Sequence, residues 1–154
     1  MAENQSRPFD HPRFRSWIAV GRACQTMQSA LGRALAPLGL KPPHLDVLVN
    51  LYRFEGLTQQ DLARKLLVGR SNMSMTLPQL EKRGLIARYG DPGDRRVLRL
   101  RLTESGRHTA ERAMAIQTAL IDAVLSPTPS DHCTIIAETM EAMIQRLQEW
   151  EKTL

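Results

Sequence analysis
Residues 91–106 read DPGDRRVLRLRLTESG, and this stretch joins a turn, a cationic tip, a strand and a helix start without a break. Asp91, Pro92 and Gly93 carry turn chemistry, because proline presets one backbone angle and glycine tolerates a positive one. Arg95 and Arg96 then fall at the tip of a hairpin. Val97, Leu98, Leu100 and Leu102 are apolar, and Arg99 and Arg101 alternate with Leu100 and Leu102 at the strand period of two. The alternation predicts one packed face and one basic face. Thr103 closes the strand and offers its hydroxyl to the next helix. A basic hairpin tip suits a phosphate-lined groove; a solvated surface turn is the plain alternative from these residues alone.

The preceding residues favour the groove. TQQD at 58–61 is a capping box, followed by Leu62, Ala63, Leu66 and Leu67 at helical spacing. A short amphipathic helix is predicted from Gln59 to about Val68, where Gly69 ends it. Ser71 and Asn72 are suited to cap a second helix, in which Met73, Leu77 and Leu80 recur at intervals of four and three. Gly84 ends that helix, and residues 85–89 read as the first strand of the hairpin. Helix, tight turn, helix and hairpin in this order make a winged helix-turn-helix. The face opposite the second helix's apolar stripe carries Ser71, Asn72, Ser74, Met75, Gln79 and Lys82, with Arg70 at its entrance. Such side chains reach base edges or phosphates in a major groove.

Charge points the same way. The chain has 21 Lys and Arg against 16 Asp and Glu. Residues 58–112 hold 12 basic and 6 acidic side chains, so the excess is concentrated in the reading module, and the rest of the chain is close to neutral. Localised positive charge is what counterion release from DNA requires.

At 154 residues and 42% hydrophobic content, one ordinary core is expected, within a single domain spanning 1–154. No apolar run is long enough for a membrane span and no signal segment is evident, so a cytoplasmic protein with no membrane partner is expected. Cys24 and Cys133 are far apart and lack CxxC spacing, which argues against a zinc site, a disulfide framework or any cofactor. Both are read as small buried hydrophobes, with a redox role for Cys24 as the alternative. Four scattered histidines, no nucleophile in a recognisable setting and no phosphate-binding glycine loop argue against an enzyme.

The flanks supply the mounting. Phe14, Trp17, Gly21, Cys24, Met27, Leu31, Leu35 and Leu38 trace a helical stripe ended by Pro37 and Gly39. Lys41, Pro42 and Pro43 restart the chain into a helix carrying Leu45, Val47, Leu48, Leu51 and Tyr52. Beyond the hairpin a long helix is predicted over 104–125, then a break in which Thr128 and Pro129 serve as cap and first helical residue. The last segment repeats Ile136, Met140, Met143, Leu147, Trp150 and Leu154 at steps of four and three, a seam longer than a small domain needs for itself. The expected fold is therefore mainly α. A winged helix-turn-helix over 41–103 is carried by N- and C-terminal helices, 13–40 and 104–154, that form the dimerisation region of a homodimer. Two such heads would meet successive major grooves about 34 Å apart on a near-palindromic site.

Taken together, TQQDLARKLLVGRSNMSMTLPQLEKRGLI and DPGDRRVLRLRLTESG, with two helices before and two long helices after, resemble the MarR family of bacterial transcriptional regulators over nearly the whole chain. The Asp-x-Arg of that family's wing corresponds to Asp94 and Arg96, and its Leu-Thr-x-x-Gly helix start to Leu102, Thr103 and Gly106. The resemblance implies a homodimeric repressor whose wing arginine, Arg96, enters a minor groove with Asp94 orienting it. It also implies release by a small phenolic or anionic molecule or by an oxidant. Two residues depart from the pattern. Pro78 lies inside the second reading helix, where a kink costing about 3 kcal/mol is expected, and Cys24 lies further along the first helix than the reactive cysteine of peroxide-sensing members.

An effector cavity is expected where the first, second and fifth helices meet the reading head, with Trp17, Arg22, His44 and Tyr52 as candidate lining residues. Each has a plainer reading: Trp17 in the core, His44 as a helix cap, Arg22 in a surface ion pair. Two other readings of the head remain at this stage, a winged helix that binds protein and an architectural DNA binder with little sequence preference.

Overall fold
The structure, a computed structural model, describes residues 7–66 and 70–154, the side chains of Arg70 and Ser71 excepted. Its helices are α1 (Phe14–Leu35), α2 (Pro42–Arg53), α3 (Gln59–Leu66), α4 (Arg70–Lys82), α5 (Glu104–Leu125) and α6 (Ser130–Glu151), with single 3-10 turns at Pro8–Asp10 and Ala36–Leu38. Strands β1 (Ile86–Gly90) and β2 (Leu98–Leu102) pair antiparallel, Ile86 opposite Leu102 and Gly90 opposite Leu98. The chain divides into two compact units, one ending at Met114 and one running Ala115–Leu154.

The first unit holds the buried core. Leu45, Val47, Leu48 and Leu51 of α2 meet Leu62 of α3 and Met73, Leu77 and Leu80 of α4, and Leu100 and Leu102 close the layer from β2. These are the positions that the helical and strand periods select, since burying one stripe per element is what stabilises short helices. The capping box at the start of α3 forms in both directions: Asp61 N–H donates to Thr58 Oγ1 at 3.1 Å, and Thr58 N–H donates to Asp61 Oδ2 at 3.1 Å. Gly84 ends α4 with φ 69°.

The sheet is widened by the chain between α2 and α3. Leu100 N–H donates to Leu57 O at 2.8 Å and Gly56 N–H to Leu100 O at 3.2 Å. The hairpin is thereby hydrogen-bonded on one side to the α2–α3 corner instead of standing free.

Several local expectations need correction. Ser71 and Asn72 are not caps, because α4 already runs from Arg70 and a cap residue has a non-helical backbone. The expected ends at Val68 and Gly69 lie outside the described residues. At the start of α6, Pro129 occupies the cap position with ψ 141° and Ser130 is the first helical residue. Thr128 instead donates its N–H back to Leu125 O. Pro78 lies inside α4, as read from the sequence, with its ring facing solvent and the helix running on to Lys82. Leu98 is 50% exposed, because its position on β2 lies beyond the core layer. Cys24 is exposed and Cys133 half-buried, both as free thiols; the first three turns of α1 bury nothing, and its buried residues are Leu31 and Leu35 near the C-terminal end.

The start of α5 is held by a junction with no slack. Thr103 N–H donates to Leu85 O, Thr103 Oγ1 donates to Gly84 O, and the same oxygen accepts from Gly106 N–H at 2.9 Å. A side-chain carbon at Gly106 would lie far inside van der Waals contact distance of the Leu85 carbonyl oxygen. This is the physical content of the Leu-Thr-x-x-Gly start. Gly106→Ala is expected to destabilise the protein by about 3 kcal/mol, at the upper end of overpacking costs, read as a lowered urea midpoint with an unchanged slope.

Candidate nucleic-acid interface
Helix α4 presents Asn72, Ser74, Met75, Gln79 and Lys82 to solvent, with Met75 65% exposed. Its opposite stripe, Met73, Leu77 and Leu80, is buried. The backbone of Arg70 and Ser71 begins the helix, and their side chains lie outside the described residues. Asn72, Met75 and Gln79 share one wall of a cavity of about 290 Å³ whose other wall is the start of α2, with Lys41, His44 and Asp46. His44 Nε2 stands 2.8 Å from Gln79 Oε1. Partial desolvation raises the carboxyl of Asp46, which stays exposed, above its ordinary value.

The hairpin tip is built from two carboxylates in series. Asp91 Oδ1 accepts from the N–H of Gly93 at 2.7 Å and of Asp94 at 3.1 Å, which closes the turn. Asp94 then accepts from Arg96 three times, from its backbone N–H, its Nε and its Nη2, at 3.0, 3.1 and 3.2 Å. Arg96 nonetheless stays 90% exposed at its side chain, so its guanidinium is aimed and still wet. Arg95 beside it is exposed.

Arg99 anchors this tip to the body. Its Nε donates to Asp91 Oδ2, and its Nη1 donates to Gly56 O at 2.7 Å. One guanidinium thus ties the turn to the corner before α3. The expectation that Arg99 belongs to a free basic strand face is corrected here: an arginine with a carboxylate and a carbonyl in reach satisfies its planar fork internally. Arg101 lies over the ring of Tyr89. Arg83 and Arg88 are also internal ties, Arg83 to the carbonyls of Leu38 and Gly39, and Arg88 to Glu81 and Gln59.

The four effector candidates are not brought together. Trp17 is 62% exposed rather than in the core, and it lines a cavity of about 470 Å³ with Arg7, His11, Arg13 and Phe14. His44 belongs to the α2–α4 cavity. Tyr52 donates its hydroxyl to Glu111 at 3.1 Å beneath the Arg107 guanidinium. Arg22 is exposed on α1, and among the described residues it has no ion-pair partner. Nor do the described residues contain a cluster of His, Cys, Asp or Glu able to hold a metal ion, or a helix long and apolar enough to cross a membrane.

Sequence comparison places this geometry. The MarR family pattern matches residues 38–97, the span from the turn before α2 to the wing tip. An HTH-type transcriptional regulator of Bacillus cereus is 31% identical over 114 residues, covering 71% of this chain and 76% of that protein. The chain belongs to the MarR family. It is a MarR-family transcriptional regulator, and its relatives are regulators of transcription rather than enzymes. Two solved structures of CouR, one of them from Rhodococcus jostii RHA1, are similar to it. One is bound to p-coumaroyl-CoA, with TM-score 0.77 and 26% identity over 90% of this chain and 95% of that one. The other, described as a transcriptional repressor, is bound to a 23-mer DNA duplex, with TM-score 0.70 and 29% identity over 79% of this chain and 89% of that one.

The wing of this MarR-family chain has a pH signature. The Arg99 guanidinium, and then the Gly93 N–H, hold the Asp91 carboxyl below its ordinary value of 3.8. A depressed carboxyl adds stability that is present above the unfolded value and lost as pH falls through the folded one. The difference in Tm between the native protein and Asp91→Asn is therefore expected to be present at about pH 6 and to close as the pH is lowered below 3.8. A difference independent of pH across that range would assign Asp91 a purely steric role.

Proposed function
We propose that this regulator is a homodimeric repressor that binds a near-palindromic operator and is released from it by a small aromatic anion. What carries the DNA part is one juxtaposition. An exposed polar face on α4 stands beside a wing whose tip arginine is oriented by Asp94 but left accessible, on a chain similar to a repressor bound to DNA. In this reading Arg70, Ser71, Asn72, Ser74, Met75, Gln79 and Lys82 face a major groove, and Arg95 and Arg96, with Asp94 behind them, reach phosphates or the adjacent minor groove. Concentrated positive charge supplies affinity, and base edges supply the choice of site.

The dimer is supported by unspent apolar surface. No residue of α6 is buried, and Ile136, Ile144, Leu147 and Trp150 are between 43% and 59% exposed along its 22 residues. Continuous apolar stripes of this length rarely remain in water. In this reading residues 13–40 and 104–154 form the dimerisation region, with 41–103 as the reading head.

Release by an anion is supported by the cavity at Trp17, where Arg7, His11 and Arg13 offer charge and hydrogen bonds and Phe14 and Trp17 offer ring faces. CouR, similar in fold and sequence, is bound to an aromatic acyl thioester of CoA. An effector acts only through unequal affinity for the DNA-competent and incompetent states. Release through Cys24 has only the exposure of that thiol behind it.

Fluorescence anisotropy on the DNA upstream of the protein's own gene, beside a scrambled duplex, tests the reading. Preference for the upstream DNA on the order of a thousandfold is expected, with affinity falling steeply in salt. Arg96→Ala is expected to weaken binding and reduce the log–log salt slope by about one; an unaltered slope would remove the wing from the interface. Glutamate at both Met143 and Leu147 is expected to leave a 17.4 kDa species in light scattering, whereas a mass twice that would refute the α6 seam. An aromatic carboxylate or acyl thioester that weakens DNA binding of the native protein is expected to lose its effect on Arg13→Ala, and retention of that effect would place the effector elsewhere.

A further inference from the structure
His44 makes a contact that capping alone does not account for. It is 6% exposed and sits at the third position of α2, where its Nδ1 accepts the backbone N–H of Lys41 at 3.1 Å. A backbone N–H can only donate, so Nδ1 must hold a lone pair. In the neutral ring the proton is then on Nε2. The atom of Gln79 facing Nε2 at 2.8 Å must therefore be an acceptor, and the structure places Oε1 there. The usual ambiguity between the two ends of a carboxamide is removed by a backbone hydrogen bond on the far side of the imidazole.

Gln79 stands on the exposed face of α4, on the same cavity wall as Asn72 and Met75. A free glutamine can turn either end of its amide to a base edge, and pairs bidentately with adenine when both ends face it. With its oxygen held inward, the amide presents its NH2 group first. The groups that accept from it are phosphate oxygens, guanine O6 and N7, thymine O4 and adenine N7; the amino group of cytosine opposes it, and that of adenine opposes it beside N7, so guanine and thymine are the bases whose major-groove edges carry no opposing donor.

We propose that His44 is a positioning residue for DNA reading: by fixing its own tautomer through Lys41 it locks Gln79 as a donor, and so biases one operator position toward guanine or thymine, whose major-groove edges accept without an opposing amino group. The proposal rests on the reading that this face of α4 meets DNA. Lys41 and Asp46 line the same cavity as His44 and Gln79, so all measurements belong at one slightly alkaline pH.

The test is a base-substitution scan of the operator by anisotropy, comparing the native dimer with Gln79→Ala and His44→Glu. Glutamate at this position is the standard capping-box partner; it keeps the bond to Lys41 N–H but can only accept from Gln79, which turns the amide oxygen outward. The native protein is expected to favour guanine or thymine at one position on the order of tenfold. Gln79→Ala is expected to bring that ratio within about twofold and His44→Glu to abolish or reverse it, while the ratios elsewhere stay unchanged. Because the readout is a ratio at one base pair, a general loss of affinity from the added charge does not imitate it. A flattened ratio in Gln79→Ala with the native ratio kept in His44→Glu would overturn the role of His44 and leave the α4 reading standing. Unchanged ratios throughout in Gln79→Ala would overturn both. If His44→Glu fails to fold, nitrogen-15 NMR of the native protein still decides the tautomer: a His44 signal with Nε2 protonated is expected, and a proton on Nδ1 defeats the proposal.

Discussion
The close approach of Gly106 to the Leu85 carbonyl governs the arrangement of the reading head. Four chain segments meet there: the end of α4 at Gly84, the entry to β1, the end of β2 at Leu102 and the first turn of α5. Thr103 serves all of them, taking the Leu85 carbonyl with its N–H, the Gly84 carbonyl with its hydroxyl proton and the Gly106 N–H with its hydroxyl oxygen. Backbone is packed on backbone, so the site can relax only by moving a whole element. The hairpin is thus held in register at its root, and the direction in which α5 leaves the sheet is set by the same contact.

From that root, order is passed outward by hydrogen bonds rather than by packing. The hairpin beyond Leu98 has no core to lean on. Its conformation is held by a chain of charged groups: the Gly56 carbonyl, Arg99, Asp91, the turn amides, Asp94 and finally Arg96. Exposed ion pairs taken singly contribute little to stability. Their value here is directional, since each partner leaves the next one fewer orientation to lose on binding. The tip arginine can be exposed and aimed at once for this reason. On α4 the corresponding device is the Lys41–His44–Gln79 chain, which orients a polar side chain from behind.

The two compact units spend their apolar residues differently. In the first, the stripes of α2, α3 and α4 close on one another and on β2. In the second, α6 offers an equally regular stripe and buries none of it. Regularity at steps of three and four is therefore no guide by itself to whether a stripe is consumed within a protomer. The N-terminal part of α1 carries the same lesson: spacing alone puts Trp17 and Cys24 in the interior, and both are exposed.

What sequence alone determined was the set of elements and the faces they bury, because both follow from local rules. Alternation defined β2, the capping box at Thr58 and Asp61 started α3, Gly84 ended α4, and Thr103 announced α5. The Asp94–Arg96 pair was equally legible, since its members are two residues apart on a tight turn. Tertiary structure alone decided the partners of the long polar side chains. Arg99 looked like one tooth of a basic strand until folding brought Asp91 and Gly56 to it, and Gln79 looked like a free reading residue until α2 brought His44 behind it. Arg83 was tied in the same way to the turn that follows α1, far off in sequence. Arginine, glutamine and histidine take whichever donor or acceptor lies within a few ångströms, and that is settled by how helices and strands dock, which no local period encodes.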